Sequence, residues 1–121
     1  MGETQVKTLC RIRDIYRSIA DFESAFQQKY GLNLNEGMLL CTLNSNKYSS
    51  SEIAEILCLS NSNTSKVIKS VEQQGYVKRI MGKDDKRQMY FSLTEAGRKR
   101  LESIKCDSIN IPELLQPVIL P

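Results

Sequence analysis

The chain has 121 residues, 40% hydrophobic and 26% charged, with a formal net charge of +3 and no histidine. That length suits one folded domain over residues 1–121, and no apolar run approaches the ~18 residues that a bilayer-spanning helix needs. Without histidine, and with no C-x-x-C spacing among Cys10, Cys41, Cys58 and Cys106, the usual zinc-ligand patterns are missing, so neither metal nor cofactor is expected.

The first predicted element is a long helix over Val6–Tyr30. Leu9, Ile12, Tyr16, Ile19, Phe22 and Phe26 recur every three or four residues, with Ile15 and Ala20 broadening the stripe, and Gly31 supplies a left-handed stop. The stripe is too long for one small core to cover. Met1–Lys7 has no apolar block after a basic region, so no secretory leader and a cytoplasmic location are expected. In that compartment most of the four cysteines are expected to be small buried hydrophobes rather than members of a disulfide framework.

A second helix is predicted over about Glu36–Asn44, capped by Asn33 or Asn35, with Met38, Leu39, Cys41, Thr42 and Leu43 on or near its inner face. Ser49 and Glu52 then form an S-x-x-E capping box opening a short helix with Ile53, Ala54, Ile56 and Leu57. After the tight turn Leu57–Ser60, either Ser60 or Asn61 caps a helix over Asn61–Gln74 that Gly75 ends. Thr64, Val67, Ile68 and Val71 define its inner face. The period then falls to two. Tyr76–Met81 and Gln88–Leu93 are predicted strands joined by the polar hairpin Gly82–Arg87. Thr94 caps a last helix to about Lys105, and the apolar, proline-bearing tail has room for only a turn or two.

Charge is unevenly placed along these elements. Residues 1–60 carry six Lys/Arg against seven Asp/Glu, whereas residues 61–100 carry ten against four. A surplus confined to forty residues is a footprint that polyanions select. It coincides with the order helix, turn, helix, strand, basic hairpin, strand. The fold class is therefore mainly α with a small β-hairpin: a winged helix-turn-helix over 33–93, with helical regions at 6–32 and 94–121. The exposed face of the reading helix presents Asn61, Ser62, Asn63, Ser65, Lys66 and Lys69. Asn and Ser can hydrogen-bond base edges, and lysines suit phosphates; Asn61 is equally a residue type that caps helices. In the wing, Lys83, Lys86 and Arg87 form a narrow basic tip, and Asp85, two residues before Arg87, can orient its guanidinium.

Three runs resemble the MarR family of bacterial transcription regulators. They are Ser51-Glu-Ile-Ala-Glu55 leading to Leu59-Ser-Asn-Ser-Asn-Thr-Ser-Lys66, then Val71-Glu-Gln-Gln-Gly-Tyr-Val77, then Asp85-Lys-Arg87 with Ser92-Leu-Thr-Glu-Ala-Gly97. With the long first helix they span about residues 6–105, and the D-x-R wing followed by L-T-x-x-G is the most specific part. The resemblance implies a repressor acting as a homodimer on a pseudo-palindromic site in double-stranded DNA, and a sequence without histidine, Gly-rich phosphate loop or metal-ligand cluster gives no support to an enzyme. Arg87 matches the wing arginine and Asp85 its orienting carboxylate. Dimerisation through both termini fits the stripe on the first helix, and the exposed Ile111, Leu114, Leu115, Val118, Ile119 and Leu120 if the tail crosses to a partner.

The resemblance further implies release by a small-molecule effector or by an oxidant acting on a cysteine near the start of the first helix. Cys10, beside Arg11 and Arg13, occupies such a place, and a half-buried structural thiol is the alternative. Two features depart from the family pattern. Cys58 stands where glycine is frequent, so a turn that needs positive φ is either strained by about 1 kcal/mol or reshaped. The C-terminal helical region is also short. The competing function is a winged-helix protein-interaction module that binds no DNA.

Overall fold

The computed structural model describes residues 2–106 and 110–120. In chain order these form α1 (Glu3–Tyr30), α2 (Leu34–Leu43), β1 (Tyr48–Ser49), α3 (Ser50–Leu57), α4 (Asn61–Gln73), β2 (Val77–Met81), β3 (Met89–Leu93) and α5 (Glu95–Cys106). A 3-10 turn (Glu113–Leu115) and α6 (Gln116–Ile119) follow. The contacts group them into two compact units, one of Leu34–Asp107 and one of Met1–Asn33 with Ser108–Pro121.

The first of these units is a winged helix. Its core is drawn from its four helices and from β2 and β3: Leu39, Leu40 and Leu43 of α2, Ile53 and Ala54 of α3, Val67, Ile68 and Val71 of α4, Val77 of β2, Phe91 and Leu93 of β3, and Leu101 of α5. The inner face expected for α4 is the buried one, and Thr64 joins it without stranding its hydroxyl, which donates to Ser60 O at 2.8 Å. The antiparallel sheet has the order β1-β3-β2, with Val77 opposite Leu93 and Met81 opposite Met89. Its edge strand β1 pairs Tyr48 with Phe91 and Ser49 with Tyr90, which enlarges the expected two-stranded hairpin. Two residues are too short for an alternating pattern to register, and their pairing is set by β3, forty residues away in sequence.

Several expected inner positions face outward. On α2, Glu36, Leu39, Leu40 and Leu43 are buried while Met38 and Cys41 are exposed. The helical period explains this, since 36, 39, 40 and 43 fall on one face at spacings of three, four and seven, and 38 and 41 do not. On α3, Ile56 is likewise exposed. The expectation of buried cysteines fails for Cys10, Cys41 and Cys58, all exposed free thiols: Cys41 and Cys58 stand on a helix face and a helix cap turned away from the core of their unit, and Cys10 lies on a stretch of α1 that is exposed all round. The side chain of Cys106 lies outside the described residues.

In the second unit α1 starts three residues earlier than expected, where the Gln5 side chain accepts a hydrogen bond from Gly2 N–H at 3.2 Å. It ends as expected at Gly31, with φ 70° and its N–H bonded to Gln27 O at 2.8 Å. Phe22, Phe26 and Tyr30 form a ladder along its C-terminal third, with ring centroids 6.3 and 4.9 Å apart. Towards the N-terminus the stripe is uncovered: Val6, Leu9, Ile12, Ile15 and Ile19 are exposed, and Tyr16 is 71% exposed. The tail contains the turn or two of helix that its length allows. Leu115 was expected to be exposed but is buried, and the 3-10 turn that carries it packs on α1. Ile111 and Leu114 are half-covered, leaving Val118, Ile119 and Leu120 exposed.

Candidate nucleic-acid interface

The helix-turn-helix is assembled by local hydrogen bonds. Ser49 Oγ accepts from Glu52 N–H at 3.2 Å while Glu52 Oε1 accepts from Ser49 N–H at 2.9 Å, so the capping box opens α3 as the sequence predicts. The helix closes at Cys58, in the left-handed region at φ 56° and ψ 43°, with Leu59 N–H donating to Ala54 O at 3.0 Å. The turn is therefore kept in the form glycine favours, and the cysteine bears strain on the order of 1 kcal/mol.

Ser60, not Asn61, caps α4, accepting from Asn63 N–H at 3.1 Å. Asn61 is the first helical residue, exposed, and its side chain makes no hydrogen bond among the described residues. The capping alternative for Asn61 thus gives way to an amide left available to a ligand. Ser62, Ser65, Lys66 and Lys69 are exposed opposite the buried face, with Asn61 and Asn63 at its edges near the N-terminus. At the far end Gly75, at φ 82°, lets Tyr76 N–H donate to Val71 O at 3.0 Å and turns the chain into β2.

The wing closes through Gly82 N–H to Gln88 O at 2.8 Å, and its tip is a tight turn in which Gln88 N–H donates to Asp85 O at 3.0 Å. Within that turn Asp85 Oδ1 accepts from the Arg87 backbone N–H at 2.9 Å and from Arg87 Nε at 3.4 Å. The carboxylate fixes both the backbone and the near side of the guanidinium. The two terminal nitrogens remain outward on a side chain 92% exposed. Lys83 and Lys86 are exposed on the same loop.

The base of the wing is braced as well. A Cβ on Gly82 would lie 2.7 Å from Asp85 O and 3.2 Å from the Tyr90 ring, so the loop folds back on itself only with glycine there. Lys47, from the segment before β1, places its ammonium 5.3 Å from the centre of the Tyr90 ring. Thr94 joins the end of the wing to the end of α4. Its Oγ1 donates to Gly75 O at 2.6 Å and accepts from Gly97 N–H at 3.0 Å.

Sequence reasoning missed Lys47, Tyr90 and the pair Arg79–Glu72. Arg79 Nε and Nη2 meet the two carboxylate oxygens of Glu72 at 2.8 and 3.1 Å, tying β2 to the last turn of α4. The hydrogen bond and the charge of Glu72 raise the Arg79 pKa above its ordinary value. The partners are seven residues apart but lie on a helix and a strand separated by the Gly75 turn, so the period of neither element relates them. A cleft of about 650 Å³ separates the first turn of α3 from the wing, lined by Ser49, Ser50, Ser51, Asp85, Arg87, Gln88 and Met89. Among the described residues no group of three or more His, Cys, Asp or Glu is placed to hold a metal ion, and no helix is long and apolar enough to cross a membrane.

The arrangement is a polar helix face and a basic loop tip on one unit, held at fixed settings by backbone and side-chain bonds. Residues 32–89 match the MarR family model. The chain is 34% identical over 84 residues to the HTH-type transcriptional regulator PrsX of Escherichia coli, an alignment covering 67% of this chain and 51% of that protein. The chain thus spans about half the length of that curated relative. Among solved structures, AbsC, a MarR family transcriptional regulator from Streptomyces coelicolor, superposes with a TM-score of 0.78 at 22% identity, covering 87% of this chain and 73% of that one. The S. aureus MepR–DNA complex gives a TM-score of 0.62 at 18% identity, covering 78% of each chain.

Proposed function

The winged-helix unit of this chain belongs to the MarR family, and on that premise we propose that the protein is a transcriptional regulator that binds double-stranded DNA as a homodimer. The observation that carries this is the oriented, outward-facing Arg87 on a wing beside an exposed polar face of α4. Helix α4 enters a major groove, where Asn61, Ser62, Asn63 and Ser65 meet base edges and Lys66 and Lys69 meet phosphates. The wing enters the flanking minor groove, with Arg87 inserted and Lys83 and Lys86 on the backbone.

The exposed apolar stripe of α1, together with Val118, Ile119 and Leu120, supports pairing with a second copy, which buries the same surface on each partner. A two-fold dimer asks for a pseudo-palindromic site, and occupancy of such a site represses by excluding other proteins from it. A small effector or oxidation of Cys10 releases the DNA. The thiol is exposed on α1, whereas the neighbouring Arg13 is engaged with Asp14 at 3.2 Å.

Selection of bound sequences from random duplex DNA, followed by sedimentation of the complex, tests the proposal. Two half-sites related by inversion and two chains per duplex are expected. Selection that enriches no sequence favours a winged-helix protein-interaction module instead.

A further inference from the structure

One charged group inside the winged-helix unit has no part in the interface described above. Glu36, in the first turn of α2, is only 6% exposed. Its Oε2 accepts a hydrogen bond from Ser70 Oγ and another from Gln74 Nε2 at 3.2 Å. The donors stand one helical turn apart at the C-terminal end of α4, Ser70 in its last turn and Gln74 at its C-cap, and the Gln74 amide also donates to Ser70 O at 3.3 Å.

Stability alone is a poor reason for this arrangement. Burying a carboxylate is unfavourable, and apolar residues of similar volume serve as well or better in such places. The N-terminus of α2 favours a negative charge, but the C-terminus of α4 disfavours one. What the carboxylate adds is direction. The buried Leu39 and Leu40 of α2 and Val67 and Val71 of α4 give burial that tolerates small rotations and slides. Two hydrogen bonds from successive turns of α4 to one oxygen do not tolerate them.

We propose that Glu36 is a positioning residue that sets the rotation and axial placement of α4, and through them the aim of Asn61–Ser65 at the bases. The proposal rests on the DNA-binding role of α4. It concerns sequence discrimination rather than general affinity, because phosphate contacts by flexible lysines survive a small rotation of the helix and base contacts do not.

The test measures affinity of the full chain for its selected duplex and for random-sequence duplex, together with the urea midpoint. The variants are Glu36→Leu, Glu36→Gln and the pair Ser70→Ala/Gln74→Ala. Glu36→Leu is expected to lose tenfold or more on the selected duplex while staying within threefold on random duplex, with its midpoint retained. Glu36→Gln keeps an acceptor for Ser70 and should recover most of the loss. The Ser70→Ala/Gln74→Ala variant should match Glu36→Leu, and adding it to Glu36→Leu should change nothing more.

A selected-to-random ratio within threefold of wild type overturns the proposal while leaving the DNA-binding role intact. So does a parallel fall of both affinities with the unfolding midpoint, which is the mark of a purely structural residue. Where Glu36→Leu does not fold, the same criteria apply to Ser70→Ala/Gln74→Ala, whose partly exposed side chains are not needed for the core. A wild-type chain that binds no duplex removes the DNA-binding role, and this proposal with it.

Discussion

A methyl group on Gly97 would stand 2.1 Å from the carbonyl oxygen of Tyr76, closer than any side chain can be accommodated. That oxygen also accepts the backbone N–H of Thr94 at 3.0 Å, so the first turn of α5 is pressed onto the turn linking α4 to the wing. The L-T-x-x-G run is thereby a clamp, in which the threonine bonds both sides and the glycine permits the approach. Gly97→Ala is expected to destabilise the fold by about 3 kcal/mol, at the upper end of overpacking effects because the clash is with backbone. Urea unfolding measures it, and an unchanged midpoint would show that the clamp yields freely.

Cys58 predicts the opposite sign. Its left-handed conformation is the one positive φ on a non-glycine residue among those described. Cys58→Gly relieves that strain of about 1 kcal/mol but raises the entropy of the unfolded chain, which costs about 0.4–1 kcal/mol, so the net stabilisation is at most about 0.6 kcal/mol. Thermal melting of the two proteins at equal concentration should show the higher midpoint for the glycine variant.

Asp85 is proposed to act through Arg87, which it contacts at 3.4 Å, rather than on DNA itself. Asp85→Ala should therefore weaken duplex binding, but by less than Arg87→Ala, for which about 1–3 kcal/mol is expected. In the double variant the two losses should not add, because the carboxylate has nothing left to orient. Isothermal titration of the four proteins closes the cycle, and full additivity would dissociate Asp85 from Arg87.

The exposed stripe of α1 carries the dimer prediction. Leu9→Glu/Ile12→Glu places two charges where a partner copy is proposed to bury both side chains, now 54% and 44% exposed in the single chain. Sedimentation at micromolar concentration should give a dimer for the wild type and a monomer for the variant. Duplex affinity should fall with it, since one chain then holds one half-site.

Most of the local structure was legible because it is written in near neighbours. The Ser49–Glu52 box, the Gly31 stop and the buried face of α4 each depend on residues within one or two turns. What escaped depends on distant partners. The strand Tyr48–Ser49 exists only because β3 pairs with it, and Glu72 and Arg79 meet only after Gly75 turns the chain. Helix α2 is apolar nearly all round, so hydrophobic identity did not separate Leu40 from Cys41, and a glutamate in its first turn gave no sign of being buried. In the candidate site, the wing pair Asp85–Arg87 was legible from spacing alone, whereas the brace of Lys47 on Tyr90 was not.

The Arg87 wing and the α4 face are proposed to bind a polyanionic duplex. The most direct measurement is the salt dependence of duplex affinity for the wild type and Arg87→Ala. Affinity of the wild type should fall steeply and linearly on a logarithmic scale as salt rises, and Arg87→Ala should bind more weakly with a slope shallower by about one. No duplex binding by the wild type at low salt, or identical curves for the two proteins, would contradict it.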